Sequence, residues 1–521
     1  MGLFDELNQK NDKEYVPISK DIDKNIKQIK EELKDCDDII YRDFKVGRNQ
    51  KYKLTLIYVD GLIDKDLISE NVLKALMQEA REVEPNPTGF RRDFYNLVKK
   101  GNISATEIKE VDNLTEAIDN ILIGETILVL DKYSKIIVIG SRGWPTRSVQ
   151  ETQTETVIRG PRDGFTETAK VNTSLIRRRI RDTKLKLKYI KLGKRSKTDI
   201  AIMYIEDIVD KSLLKEVKKR LEDIEIDAIL ESSYIEQLIE DNNYSPFPQV
   251  ENTERPDAVA ASLYEGRIAI VIDNTPFVLL VPATMTTFLQ SSEDYYDRWL
   301  ITSLVRLVRY LASFVALLSP AIYIALTSYH PGMIPTQLAL YVAATRTTVP
   351  FPAFIEAFIM EMTIEFLREA GTRLSGPIGT TIGIVGGLVI GQAAVEAGIV
   401  SPLMVIIVAL TTIASFMLPS YGFAASFRIL RFSFMVFAAA LGLYGIMLGL
   451  ILLGTHLVNL KSFGIPYLSP FVTLGKMGGD LKDTLIRTPI NKMKKRPKYT
   501  DVVDEDRLVN KEKNSDKKGE K

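Results

Sequence analysis

Between Leu300 and Leu460 apolar runs are long and charged residues few, while the chain on either side is densely charged. A bilayer core about 30 Å thick takes roughly 20 apolar residues per helical crossing. The contrast therefore predicts a soluble N-terminal region, a helical membrane domain and a polar tail. Bulk charge conceals this division. The 68 Lys+Arg and 67 Asp+Glu leave a formal charge of +1, which argues neither for nor against a nucleic-acid partner. No aromatics are spaced for base stacking, so no nucleic acid is expected. The one cysteine, Cys36, excludes an intramolecular disulfide framework and fits a reducing compartment. Met1–Glu6 has neither a basic n-region nor an apolar h-region, so no cleavable signal is expected and the soluble region is assigned to the cytosol.

The expected class is α/β plus α-helical membrane: tandem-duplicated soluble α/β subdomains, then a polytopic helical transmembrane domain. Its parts are a charged N-terminal segment (1–50), α/β subdomain 1 (51–160), α/β subdomain 2 (161–290), a membrane domain of four to five hydrophobic helices (295–475) and a charged, disordered tail (476–521). The duplication rests on repeated grammar. Lys53–Val59 is a strand running into Asp60-Gly61-Leu62-Ile63-Asp64-Lys65 and a helix, and Thr198–Ile205 runs into Glu206–Lys211 and another helix. Tyr58 matches Tyr204, and Asp64-Lys65 matches Asp210-Lys211. Gly124–Asp131 likewise matches Gly266–Asp273, each followed by a second apolar strand. Two matches at a nearly constant offset mark a tandem repeat, with mixed sheets expected. Chance similarity of common strand–turn–helix units is the competing explanation.

Between the copies lie Gly160–Glu167, with Arg162, Asp163 and Thr166 as an N-cap, and then the run Arg177, Arg178, Arg179. Such a run suits phosphate or anionic lipid, but more often it is a solvated face or a partner for acids within the chain. A structural or interface role is the favoured reading.

In the membrane domain, Tyr295–Trp299 is an interface anchor and about Ile301–Ser328 the first span, with Arg306 and Arg309 snorkelling at its end. The helix Ala353–Leu367 and its continuation carry Glu356, Glu361, Glu365 and Glu369. Charge at mid-bilayer costs roughly 2.5–3.5 kcal/mol per group, so these acids are a site hypothesis. Glu361, Glu365 and Glu369 recur every four residues and share one face; Glu365 with Arg368 and Glu369 with Arg373 are spaced as helical pairs. One reading is an interfacial helix whose acids face water; the other lines a cation path once subunits assemble. Both stay open. Gly379, Gly383, Gly387 and Gly391 form a smooth ladder suited to close helix packing. A dinucleotide loop is rejected, because no strand precedes the glycines and no ribose-binding acid follows. Pro402–Leu418 and Phe432–Leu457 are the remaining spans, separated by Pro419-Ser420-Tyr421-Gly422 and by Arg428 and Arg431, and the side of the tail is open.

Chemistry is conspicuously thin. His330 and His456 are the two histidines, and no zinc-ligand spacing, phosphate-binding loop or nucleophile elbow occurs. No cofactor, no metal and no enzyme activity are expected.

With these motifs laid out, the chain resembles the A subunit of the GerA-type spore germinant receptors. Ser141-Arg142-Gly143-Trp144-Pro145, Pro161–Glu167, the block His330–Pro419 and Pro466–Phe471 carry the resemblance. It implies a multi-pass protein of the inner endospore membrane acting with a transporter-like B subunit and a lipoprotein C subunit. It also implies a homo-oligomer forming a ligand-gated cation channel. A branch working with the dipicolinic-acid release machinery, a secondary transporter and a non-conducting scaffold are the alternatives.

Overall fold

The computed structural model describes residues 15–46, 52–69, 108–143, 151–152, 154–373, 387, 390–472 and 480–507. These divide into two compact units. One takes its described residues from Met1–Ile239, Asn252–Val281 and Thr500–Glu505, the other from Glu240–Glu251, Pro282–Tyr499 and Asp506–Lys521.

In the first unit, helix α1 (Ile22–Glu32) precedes strands β1 (Ile39–Val46), β2 (Tyr52–Val59) and β3 (Ile108–Val111). Helix α2 (Leu114–Ile123) and strands β4 (Thr126–Leu130) and β5 (Ile136–Ile139) follow. After α3 (Ala169–Arg179) come β6 (Leu185–Leu192), β7 (Thr198–Ile205), α4 (Lys211–Glu222) and α5 (Ser232–Ile239). Then β8 (Glu251–Thr253), α6 (Pro256–Tyr264), β9 (Ile268–Ile272) and β10 (Val278–Val281) close the series. The two five-stranded sheets share one order: β1-β2-β4-β5-β3 and β6-β7-β9-β10-β8.

The repeat extends to single residues. Asp64 caps its helix through the amides of Asp66 and Leu67 (3.0 and 3.1 Å), and Asp210 caps α4 through the Leu213 amide (3.0 Å). Gly124 and Gly266 take positive φ (100° and 81°) just before the matching strands β4 and β9. The amides of Asp131 and Asp273 bond back to Lys53 and Asp199 (3.1 and 3.0 Å), at matching places in β2 and β7.

The expected mixed sheets are corrected: all four pairings of the first sheet are antiparallel. β3 and β4 do run the same way across α2, but β5 fills the position between them in the opposite direction. Both faces of this sheet are covered. Ile57, Val59, Ile127 and Val129 enter one core, and Leu54, Leu56, Leu128 and Leu130 the other. That is why the strands read as unbroken apolar runs.

Two boundaries also move. The cut at residue 50 falls inside the β1–β2 hairpin, where Ile39 faces Val59 and Arg42 faces Leu56. The tail is ordered over 480–507: Val502 joins the core of the second sheet, Thr500 Oγ1 donates to the Glu265 carbonyl (2.8 Å), and the Val503 amide donates to Ile208 (3.0 Å). The N-cap of α3 is Thr168, not Thr166, and Asp273 Oδ1 accepts from the Ala169 amide at 2.9 Å.

The second unit holds α7 (Met285–Leu289), α8 (Trp299–Ser328), α9 (Thr336–Arg346), α10 (Ala353–Arg373), α11 (Pro402–Phe416), α12 (Tyr421–Leu441) and α13 (Leu443–Asn459). Of the described helices, α8 and α12 are long and apolar enough to cross a membrane; α11 and α13 are shorter apolar helices. The expected span Phe432–Leu457 is split at Gly442, whose φ of 61° ends α12. Arg428 and Arg431, expected as separators, lie inside α12. Near the starts of α8 and α12, Phe247, Phe288, Phe423, Phe427 and Tyr467 form one aromatic core. Arg306 and Arg309 do not snorkel: both bond Asp294 Oδ2 (2.9 and 2.8 Å). Asp483, from the segment after the last helix, accepts from Arg306 Nη1 (2.8 Å) and Tyr295 Oη (2.6 Å). That segment therefore sits at the first turns of α8.

Candidate functional site

Helix α10 carries the four acids, and its pitch sorts them. Four residues turn a helix about 400°, so a period-four stripe drifts about 40° per step. Over the two steps from Glu361 to Glu369 the drift adds up to about 80°.

Glu356 is fully buried. Its Oε1 takes Arg346 Nε and Nη2 (3.2 and 3.1 Å), and its Oε2 accepts the Ser401 amide (3.0 Å). Glu361 is fully buried too and meets Arg431 Nη1 at 2.5 Å, while Arg431 Nε donates to the Ala316 carbonyl at 2.7 Å. Glu365 is half-buried and accepts from Arg368 Nη1 (3.2 Å), with Arg428 Nε 3.9 Å away. Glu369 is exposed, on the side that also shows Phe358 and Phe366. Exposure along the stripe thus rises from the buried Glu361 through the half-buried Glu365 to the exposed Glu369, and Glu356 lies buried off it. The i,i+3 pair Glu365–Arg368 is present; the Arg373 side chain lies outside the described residues.

These pairs knit helices together. Arg431 joins α12 to α10 and, through Ala316, to α8. Charge in such a bundle persists when it is paired. Arg428 and Arg431 were legible as charges in an apolar tract; their partners, up to 70 residues away, were not.

Of the glycine ladder, Gly379 and Gly383 lie outside the described residues. A Cβ on Gly387 would meet nothing within 4 Å, and one on Gly391 would lie 3.6 Å from Val405 Cγ1. The close approach occurs elsewhere, at a glycine pair the sequence reading passed over. A Cβ on Gly445 would fall on the Phe437 carbonyl, and one on Gly449 would come within 2.8 Å of the Phe434 ring. Their i,i+4 spacing was the available signal.

The arginine run of the first unit turns largely inward. Arg177 is fully buried; Nε and Nη2 each meet an Asp38 oxygen at 2.9 Å, and Nη1 donates to the Leu185 carbonyl at 3.0 Å. Arg179 Nη2 bonds both Asp163 oxygens (2.7 and 2.6 Å). Arg178 is exposed, and Arg162 pairs loosely with Glu151 at 3.5 Å on the surface. Asp38 was missed because it lies 139 residues from Arg177, in a segment read only as charged.

Among the described residues, no group of three or more His, Cys, Asp or Glu could hold a metal ion. His456 bonds Ser245 Oγ at 2.9 Å, at the end of α13.

Comparison with known proteins places this arrangement. Residues 27–499 match the model of the Bacillus/Clostridium GerA spore germination proteins. Spore germination protein KA of Bacillus subtilis is 45% identical over 94% of this chain and 88% of its own length. The membrane protein YfkQ of the same organism is 43% identical over 95% of this chain and 94% of its own. A solved structure also matches: the N-terminal domain of the A subunit of the Bacillus megaterium spore germinant receptor GerK3. It is 32% identical, covers 52% of this chain and 98% of that one, and has a TM-score of 0.41. The family match spans both units, including the charged helix bundle, and the chain belongs to the GerA family of spore germination proteins.

Proposed function

We propose that the chain is the A subunit of a nutrient germinant receptor, embedded in the inner spore membrane. Copies of it assemble around a cation path, together with a transporter-like B subunit and a lipoprotein C subunit. The observation that carries the reading is the sorting of α10. Glu356 and Glu361 are buried and Glu365 is half-buried, while Glu369 stands on the exposed face beside Phe358 and Phe366. An exposed acid among aromatic side chains on a membrane helix suits a face that neighbouring copies cover and an aqueous path wets. The acid proposed to attract cations is therefore Glu369, with Glu356, Glu361 and Glu365 holding the bundle.

The return of Asp483 to Arg306 supports an even number of crossings. With the soluble unit in the cytosol, the tail is cytosolic as well. The ladder Gly379, Gly383, Gly387 and Gly391 would then pack against another chain.

Reconstitution of the chain in liposomes, with potassium flux as readout, tests the proposal. A channel conducts passively, a carrier saturates and a scaffold does neither. Passive flux reduced about tenfold by Glu369→Gln is expected, on the scale of one lost favourable interaction of about 1.4 kcal/mol. Flux no greater than in empty vesicles rules the channel out.

A further inference from the structure

Three guanidinium groups and two carboxylates meet where α10, α11 and α12 converge. Glu361 pairs with Arg431 at 2.5 Å, and Glu365 with Arg368 at 3.2 Å and Arg428 at 3.9 Å. Three cations against two anions leave one positive charge in excess. The hydrogen bonding is uneven in the same sense. Among the described residues, Arg368 Nε and Nη2 and Arg431 Nη2 are buried donors without a partner, against one unpartnered acceptor in the cluster, Glu361 Oε1. Buried cationic donors left unmatched are costly, so the cluster favours a further acceptor carrying negative charge.

The two Arg368 donors define its shape. Nε and Nη2 share one edge of the guanidinium, the fork that takes two oxygens of a carboxylate or phosphate at once. In the first unit Arg177 uses that very edge to hold both oxygens of Asp38, each at 2.9 Å. On Arg368 the same edge meets no hydrogen-bond partner among the described residues.

The surroundings say what reaches it. Arg368 lies 5.2 Å over the Phe416 ring and Arg428 lies 5.0 Å over the Tyr421 ring. These rings flank the turn 417–420 between α11 and α12, and are 70% and 67% exposed. A turn between two apolar helices, with an exposed tyrosine and arginines beside it, marks the headgroup level of a bilayer. Phosphate is the anionic group found there.

We infer that the Arg368 fork, with Arg428 beside it, is a binding site for a phosphate oxyanion, supplied by the headgroup of an anionic phospholipid. The inference rests on the membrane reading above. Free inorganic phosphate offers the same chemistry, so the test carries both sources.

The full-length chain is purified in detergent with phosphatidylglycerol or with phosphatidylcholine, and native mass spectrometry counts the retained lipid. A parallel arm adds inorganic phosphate. The wild type is expected to retain phosphatidylglycerol in preference to phosphatidylcholine, and Arg368→Gln to lower that retention about tenfold, the scale of one charge-assisted contact. Glu365→Gln frees another Arg368 donor and raises the cluster charge, so retention rises; misfolding would not produce that opposite sign. Arg368→Lys keeps the charge without the fork and falls between. Displacement of lipid by inorganic phosphate supports the oxyanion fork and names free phosphate as its ligand. Equal retention of phosphatidylglycerol by the wild type, Arg368→Gln and Glu365→Gln overturns the site. A wild type that retains neither lipid overturns the membrane reading itself.

Discussion

The Arg177–Asp38 and Arg431–Glu361 pairs are both buried from solvent, yet they are finished differently. Arg177 uses Nε, Nη1 and Nη2, and both oxygens of Asp38 are taken. Arg431 has Glu361 and the Ala316 carbonyl, but among the described residues its Nη2, Glu361 Oε1 and the Nε–Nη2 edge of nearby Arg368 have no hydrogen-bond partner. A closed pair locks two segments of one chain together. An open one has valence left for something outside the chain. The difference teaches that the buried charge of the first unit is closed within the chain, whereas that of the second leaves polar atoms unmatched among the described residues, as the proposed lipid contact and assembly require.

The comparison breaks most visibly at Asp38. Asp38→Asn leaves Arg177 buried with a weaker acceptor, and the full chain should lose about 3–5 kcal/mol in denaturant unfolding followed by circular dichroism. The joint change Arg177→Met with Asp38→Leu should recover most of that loss; no recovery would show that the pair is more than a closed lock. Next is Gly442→Ala. A residue at φ 61° lying against Tyr329 and His330 should cost about 1–3 kcal/mol in thermal unfolding, because only glycine enters that conformation easily. Glu361→Gln should cost less than Asp38→Asn, about 1–2 kcal/mol, since polar bonds between membrane helices are modest and Arg431 keeps Ala316. A loss as large as at Asp38 would make the two pairs alike after all.

The smallest effect is one of pH. Burial works against the charged form of Glu231, but hydrogen bonds from Ser232, Ser233 and Thr275 outweigh it and hold the carboxyl down at about 2, from an ordinary 4.5. The folded value lies below the unfolded one, so the contribution is complete above about pH 4.5 and disappears as pH falls towards 2. Glu231→Gln should flatten the acid limb of the stability–pH curve by lowering stability at neutral pH, so that the variant and wild-type curves converge as pH falls towards 2.

What was legible followed from locality. Strand, turn and helix cap lie within 14 residues at Lys53–Asp66 and within 16 at Thr198–Leu213, so the duplication could be read, down to Asp64 and Asp210. Strand β1 was hidden because Arg42, Asp43 and Lys45 alternate with apolar neighbours in a segment whose average is charged. Val502 was hidden in the same way, as a core residue in a polar tail. The acids of α10 were found, but a stripe drawn at period four ignores the drift that turns Glu369 away from Glu361. Their arginine partners come from other helices, and no spacing along the chain announces them. The break at Gly442 looked like one more glycine in a long apolar run until its left-handed backbone was seen.

The central claim is that the membrane unit is a component, completed by copies of itself with α10 toward a shared path. Electron microscopy of the detergent-solubilised full-length protein tests it most directly. The account predicts particles with rotational symmetry in which the Phe358–Glu369 face of α10 lies nearest the axis. Single, asymmetric copies, or a ring with α10 on its outer rim, would contradict it.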